Sequence, residues 1–408
     1  MSQLRVYINT FDDRNVYSGF VEYTNDTDES SLQRVSQKLD NNQFDVGVYK
    51  NTNFNLALKN DDGKFSEVGV TQSIFISKRI DSIVKITWQN AGSQAICGIA
   101  ICGDAILGDE KIIFYGLLND IATFQNIRDQ KIKFSCQGLE SIFQRVETNY
   151  SSLNGSDTIS DIIYDLLNQT EITNLMTVSA GNISVGQDQV PDSIADLEES
   201  TVKEALDKLL EMSNSVIYVS VDDQTVYVKP RSPGATVDYI FYGQASNEGS
   251  ENIIDIKNVK TGLNRTFNFW KWTDTTNTSK DQSSIDMYGV RKKEIDSSLF
   301  TNTTKIENIL TDYKDEFANP KQELKLTSIL DNNTVDLFLL DKVQIDYPTV
   351  FDPAPDSDLP LYGKAVYGTD KYPFGQWNLT IDSTKSYKIL GRSVDLKNNL
   401  ITFDLREI

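Results

Sequence analysis

Ile132-Lys133-Phe134-Ser135-Cys136-Gln137-Gly138-Leu139-Glu140-Ser141-Ile142-Phe143 changes period halfway along its length. Ile132, Phe134 and Cys136 alternate with polar neighbours, the spacing that buries one face of a strand. From Leu139 onward the apolar positions become Leu139, Ile142, Phe143 and Val146, the i, i+3, i+4, i+7 stripe of a helix. A block of strands is therefore expected to close here through one short helix. Upstream, Phe44–Tyr49 and Phe54–Lys59 repeat the two-residue alternation. Asn60-Asp61-Asp62-Gly63 and Asn90-Ala91-Gly92 supply turn residues that tolerate positive φ. Residues 1–148 thus read as a small barrel or sandwich with short connections.

Downstream the pattern turns mixed. Ile159, Ile162, Ile163, Leu166 and Leu167 form one helical stripe, with Asp157, Asp161 and Asp165 near its start, where carboxylates suit the helix dipole. A second helix is expected from Thr201, because Glu204 three residues later completes a capping box and Val202, Ala205, Leu206, Leu209 and Leu210 share a face. A hairpin follows, Val216–Val221 and Thr225–Val228, with Asp222-Asp223-Gln224 between its strands and Pro230 and Pro233 after it. Residues 149–235 carry 4 basic and 14 acidic side chains, half of the whole chain's acidic excess. They read as a small acidic α+β insert.

Residues 236–408 return to strands. Ile253–Val259, Leu263–Trp272, Glu323–Ile329, Val335–Ile345, Tyr387–Val394 and Leu400–Leu405 are the expected ones, the last two joined across Lys397-Asn398-Asn399. One helix is expected over Thr304–Phe317, stopped at Asn319-Pro320. Five of the nine prolines fall within residues 348–377, together with Tyr362, Tyr367, Tyr372, Phe374 and Trp377. Loops of that length are usually functional, and Tyr and Trp anchor interfaces at low entropic cost, so these five aromatics are the interface candidates. The alternative is a long loop folded over its own block. The fold class is mainly β with an α+β insert.

Composition limits the chemistry. The 408 residues hold 39 Lys and Arg against 59 Asp and Glu, a formal charge of −20, and no histidine. A surface so acidic repels nucleic acid and anionic membranes unless a basic patch is segregated. Without imidazole there is no Ser-His-Asp or Cys-His system and no zinc or iron site of the usual kind. At 39% hydrophobic residues the chain has enough apolar mass for packed cores. No apolar stretch approaches the ~18 residues of a membrane helix, and the N-terminus has no signal-peptide core, so neither membrane insertion nor secretion by signal peptide is expected. Three cysteines close no disulfide framework.

The remaining motifs point away from catalysis and cofactors. Asp61-Asp62-Gly63 lacks the ligand spacing and terminal Glu of a calcium loop and reads as a turn. Cys97, Cys102 and Cys136 lack a fourth soft ligand and read as small buried side chains. Arg291-Lys292-Lys293, beside Glu294, reads as a solvated strand end. No phosphate-cradling glycine motif occurs. Acidic residues are abundant enough for a carboxylate-based hydrolase, but no pair stands out.

The order strand block, acidic insert, strand block resembles the baseplate-hub or tail-tip hub family of tailed bacteriophages and related contractile injection systems. The local phrases that carry the likeness are Phe54–Phe65, Ile113–Ile121 and Ile132–Phe143 in the first block, then Val202–Leu210 and Tyr227–Arg231 in the insert. Phe317-Ala318-Asn319-Pro320, Leu340–Ile345 and Phe403–Ile408 follow in the last. Where many relatives read Gly-Asp, this chain has Leu340-Asp341. The resemblance implies two small β-barrels, residues 1–148 and 236–408, flanking the α+β domain 149–235. It implies a homotrimer whose six barrels close a ring, joining the tail tube to the tip or spike and leaving a channel for DNA that passes without specific binding. It also implies tail-tube or distal-tail ring proteins, spike or fibre proteins and a tape-measure protein as partners, no enzymatic activity, no cofactor, and a place in the virion after synthesis in the host cytoplasm. Spike, fibre or lysozyme parts are then expected as separate proteins. A receptor- or carbohydrate-binding β protein of the virion is the alternative consistent with an acidic, aromatic, histidine-free chain.

Overall fold

The computed structural model describes residues 3–11, 17–28, 31–32, 34–39, 49–61, 82–89, 110–122, 131–148, 156–197, 200–232, 234–243, 252–346, 381 and 384–408. The first block contains β1 (Gln3–Phe11), β2 (Tyr17–Glu22), β3 (Arg34–Leu39), β4 (Tyr49–Lys59), β5 (Ile83–Gln89), β6 (Glu110–Ala122) and β7 (Lys131–Gly138). In β7 the alternation works as expected: Ile132, Phe134 and Cys136 are buried while Lys133 is exposed. The chain then tightens into a 3-10 helix, Leu139–Gln144, which buries Leu139 and Phe143. Trp88, Phe114 and Phe134 fill the centre of this block, each at most 1% exposed. Burial on that scale contributes ~1.5–3 kcal/mol per large side chain. Most of Phe44–Tyr49, and the turn at Asn90-Ala91-Gly92, lie outside the described residues, as do Cys97 and Cys102.

The insert comprises α1 (Ile159–Leu167), α2 (Thr170–Thr173), α3 (Val202–Met212) and a hairpin of β8 (Ser215–Val219) and β9 (Val226–Pro230). Both longer helices begin with a complete capping box, Thr158 with Asp161 and Thr201 with Glu204. Each satisfies backbone N–H groups that the first turn leaves without partners. The apolar stripes of α1 and α3 are buried, including Ile159, Ile163, Leu206 and Leu210.

The last block adds β10 (Tyr239–Tyr242), β11 (Ile253–Lys260), β12 (Phe269–Trp272), β13 (Thr278–Lys280), α4 (Gln282–Tyr288), β14 (Lys292–Ile295), α5 (Thr303–Phe317), β15 (Glu323–Ile329), β16 (Lys342–Asp346), β17 (Ser386–Asp395) and β18 (Leu400–Glu407). Two expected strands are shorter than their apolar patterns. In the run Leu263–Trp272, Leu263–Arg265 is a 3-10 turn and only Phe269–Trp272 is strand. Gly262 before it has φ +71° and approaches the Lys321 carbonyl so closely that a Cβ would stand 1.9 Å from that oxygen. Of Val335–Ile345 only the end is strand, because the buried Arg392 guanidinium donates to the carbonyls of Val335 and Leu337 and holds that segment as a loop. Leu340 ends the loop at φ +68°, a conformation that glycine adopts without the Cβ penalty.

Thirteen strands form one largely antiparallel sheet, with the main path β11-β15-β18-β17-β3-β4-β7-β6-β5-β1-β2. The long strand β17 runs against β18 on one side. On the other it pairs first with β16, through Tyr387 and Lys388, and then with β3, from Gly391 to Asp395. That second half joins the last block to the first, and a Ser36–Ser393 hydroxyl bond of 2.8 Å crosses the join. Within the first block, Thr27 just after β2 bridges to Leu58 of β4. Within the last, β10 pairs with β16, and the Tyr242 carbonyl accepts from the Asn252 N–H beside β11 at 3.0 Å. The buried apolar side chains of all three blocks are contiguous.

Candidate functional site

Tyr362, Tyr367, Tyr372, Phe374 and Trp377 lie outside the described residues, but the anchors of their loop do not. Gln344 near the end of β16 pairs with Ser386 at the start of β17. Ile381 is buried in the core at 2% exposure.

The main path of the sheet has two end strands, and β10 branches from it with β16 as its one partner strand among the described residues. Among the described residues β2 and β11 each pair on one side only within the main path. Backbone groups along such an edge must find water or another chain. On β2, Gly19 through Glu22 are exposed, and Phe20 packs edge-on against Tyr115 at 6.0 Å between centroids. Lys85 Nζ stands 4.6 Å from the ring centres of both Phe20 and Tyr7, binding the small aromatic group by cation–π attraction. The Tyr7 hydroxyl donates to Glu110 Oε1 at 3.1 Å; burial and then the Glu110 bond and charge raise its pKa against the opposing Arg5. At the other end, Ile254 of β11 is 54% exposed, and Ile329 at the end of the neighbouring β15 is 41% exposed. The β11 run was legible in the sequence. The β2 run was not, because Tyr17-Ser18-Gly19-Phe20-Val21-Glu22 has no clean alternation.

Behind the sheet, α5 is clamped by charge. Lys388 of β17 and Glu316 of α5 meet at 2.7 Å with side chains 1% and 7% exposed, and Lys321 reaches the other Glu316 oxygen at 3.2 Å. Arg406 of β18 lies 4.9 Å over the Phe317 ring, and Lys388 also donates to the carbonyl of Arg231 at the end of the insert hairpin. The neighbourhood has more cations than carboxylates, which shifts both partners downward. Burial alone would raise Glu316, but Lys388, Lys321 and Arg406 outweigh it and hold its pKa to about 2. Burial lowers Lys388 to about 8, with Arg406 and Arg231 adding to the effect and Glu316 opposing it. At the other end of α5, Asp192 of the insert accepts from the Thr301 and Asn302 N–H groups at 2.8 and 2.7 Å and pairs with Lys305 at 2.5 Å. Its pKa falls to about 2, because these bonds outweigh its desolvation. The insert thus holds the start of α5 directly through Asp192 and reaches its end through Lys388.

The Cys136 thiol is fully buried and pushed up to about 12, which keeps it protonated and inert. No group of three or more Cys, Asp or Glu is placed to hold a metal ion among the described residues. The basic run Arg291-Lys292-Lys293 enters β14. There Arg291 donates to the Leu263 carbonyl at 2.9 Å and Lys292 pairs with Glu294 at 2.5 Å. No helix of the described residues is long and apolar enough to cross a membrane.

No family model matches the chain, and no curated protein sequence matches it. Its shape has solved counterparts. A tail protein from Neisseria meningitidis MC58 matches over 99% of this chain and 96% of its own, at 12% identity and TM-score 0.53. The chain is similar in fold to that tail protein. The 43 kDa tail protein of prophage MuSo2 from Shewanella oneidensis matches over 99% of this chain and 97% of its own, at 9% identity and TM-score 0.53. A chain from a Francisella PdpA–VgrG complex matches over 100% of this chain and 58% of its own, at 11% identity and TM-score 0.51. At these identities the likeness is one of fold, shared with two tail proteins and a chain of a VgrG complex.

Proposed function

We propose that this chain is a structural hub of a phage or phage-like tail baseplate or tip, assembled as a homotrimer around a channel for DNA. On this reading each copy contributes two strand-built modules, residues 1–148 and 236–408, as small barrels; the Thr27–Leu58 bridge within the first and the Tyr242–Asn252 bond within the second support it. Residues 149–235 form the acidic domain between them. Six modules from three copies then surround the channel, matching a sixfold tail tube above to threefold parts below. The observation that carries this reading is the single sheet running through both modules, whose main path ends at β2 and β11, where outward-facing stretches left over from closure would be extended by a neighbouring copy. The full-length match to tail-protein structures supports the same role. Barrel walls suit it because closure pairs strand edges internally, and a chain of charge −20 repels a passing polyanion. Tail-tube or distal-tail ring proteins would dock on one face and spike or fibre proteins on the other. The loop 348–377 and its five aromatics serve these contacts.

Light scattering of the purified chain, alone and with a tail-tube ring, tests the proposal. The expected mass is three copies, either alone or on the ring. A monomer that remains so at high concentration and ignores the ring would refute it.

A further inference from the structure

A cavity of about 150 Å³ opens where the two modules meet, on the face of the sheet crossed by β11, β15, β18, β17 and β3. Four cations line it, Lys38, Lys260, Arg265 and Lys325, against two carboxylates, Glu323 and Asp404. In a chain whose net charge is −20 this pocket carries a local excess of two positive charges.

Its construction follows from strand register. Lys325, Asp404, Gly391 and Lys38 are cross-strand neighbours on β15, β18, β17 and β3. Gly391 leaves a notch in that row: a Cβ there would stand 3.0 Å from both Asp404 Oδ2 and Lys38 Cγ. Leu324, Leu390 and Leu405, whose side chains are buried in the core, complete the strand floor beneath it. At the rim, β11 breaks register between Lys257 and Lys260, and Asn258 takes φ +55°, the kind of irregularity that re-aims side chains.

The cations share their counterions unequally. Lys38 and Lys325 divide one carboxylate, reaching Asp404 Oδ2 at 2.7 Å and Oδ1 at 3.1 Å. Arg265 pairs with Glu323 at 3.0 Å. Lys260 lines the same cavity and has no ion pair among the described residues. Like charges around a concavity with low-dielectric walls concentrate a positive potential, and charge-assisted N–H···O⁻ bonds are the strong means of relieving it.

We propose that this cavity is a binding site for one oxyanion, a phosphate or carboxylate group, with Lys260 as its primary ligand and Lys325 and Arg265 beside it. The site stands on these contacts alone and does not depend on the hub assignment. Calorimetric titration of the full chain with inorganic phosphate, and separately with triglutamate, at ionic strength matched with sodium chloride, tests it. Saturable 1:1 binding of either probe is expected. Lys260→Gln should weaken that binding at least ~10-fold, the usual scale for losing one charged hydrogen bond, while Lys260→Arg retains it. Lys260 is exposed and makes no ion pair, so its replacement leaves folding intact. Displacement of phosphate by triglutamate, or binding of triglutamate alone, identifies a carboxylate presented by a protein as the ligand; phosphate that triglutamate does not displace identifies a small free anion. Absence of saturable binding by both probes, or unchanged affinity in Lys260→Gln, would overturn the proposal.

Discussion

Residues 1–148 bury Trp88, Phe114 and Phe134 with Glu140 as the one buried charge among their described residues, whereas residues 236–408 bury Glu316, Lys388, Arg392 and Arg406. The first block contributes mainly apolar side chains to the one contiguous core. The last also receives α5 and the end of the insert hairpin, and it receives them through ions. Desolvating those ions is costly, and attraction offsets the cost only while each retains its partner. The contrast teaches that one continuous sheet can hold two kinds of stability. One rests chiefly on apolar area. The other depends on a carboxylate that must stay ionised.

The largest effects should come from striking each core at its centre. Glu316→Gln leaves Lys388 buried without its anion, and unfolding in denaturant should show a loss of about 3–5 kcal/mol. Phe114→Ala should cost a similar ~3–5 kcal/mol by opening a cavity in the first block. A loss under ~1 kcal/mol for Glu316→Gln would mean that the cations reach solvent once unpaired, and the contrast would collapse.

Acid separates the two variants next. The folded pKa of Glu316, about 2, lies below its ordinary 4.5, so its contribution is fully present above pH 4.5 and is lost as pH falls toward 2. That loss amounts to roughly 3 kcal/mol. Stability followed from pH 6 to pH 2 should show the decline in the wild type and in Phe114→Ala, and a correspondingly shallower decline in Glu316→Gln. Equal acid sensitivity in all three would place the pH-dependent carboxylate elsewhere.

Smaller effects probe the connections. Thr201→Ala removes the capping box of α3 and should destabilise the insert by about 1 kcal/mol, measured by hydrogen exchange along that helix. Ser36→Ala deletes the hydroxyl bond across the β3–β17 join and should cost ~0.5–1.5 kcal/mol, with exchange increased on both strands together. Exchange rising on one strand only would show that the two blocks open independently there.

Several elements were legible because their determinants are local. The capping box at Thr201–Glu204, the α5 stripe Ile306, Ile309, Leu310, Tyr313 and Phe317, and the alternation in β7, β15 and β18 all repeat on the scale of a single turn or pleat. The errors arose where a distant group intervened. Val335–Leu339 carries a strand-like pattern, yet Arg392 captures its carbonyls from more than fifty positions away. Leu263–Arg265 is apolar enough for a strand start, yet the left-handed Gly262 packed on Lys321 turns it. The exposed strand β2 escaped notice because a strand with little to bury leaves little pattern.

By itself the amino-acid order determined the succession of strand block, acidic insert and strand block, the absence of imidazole chemistry, and the helix starts, since each rests on side-chain type and short spacing. Only the tertiary structure decided that β17 would pair with β3 some 350 positions earlier, which lysine would lose its water beside Glu316, and which four cations would share a cavity. Desolvation and strand register depend on which distant segments meet. No local periodicity records that.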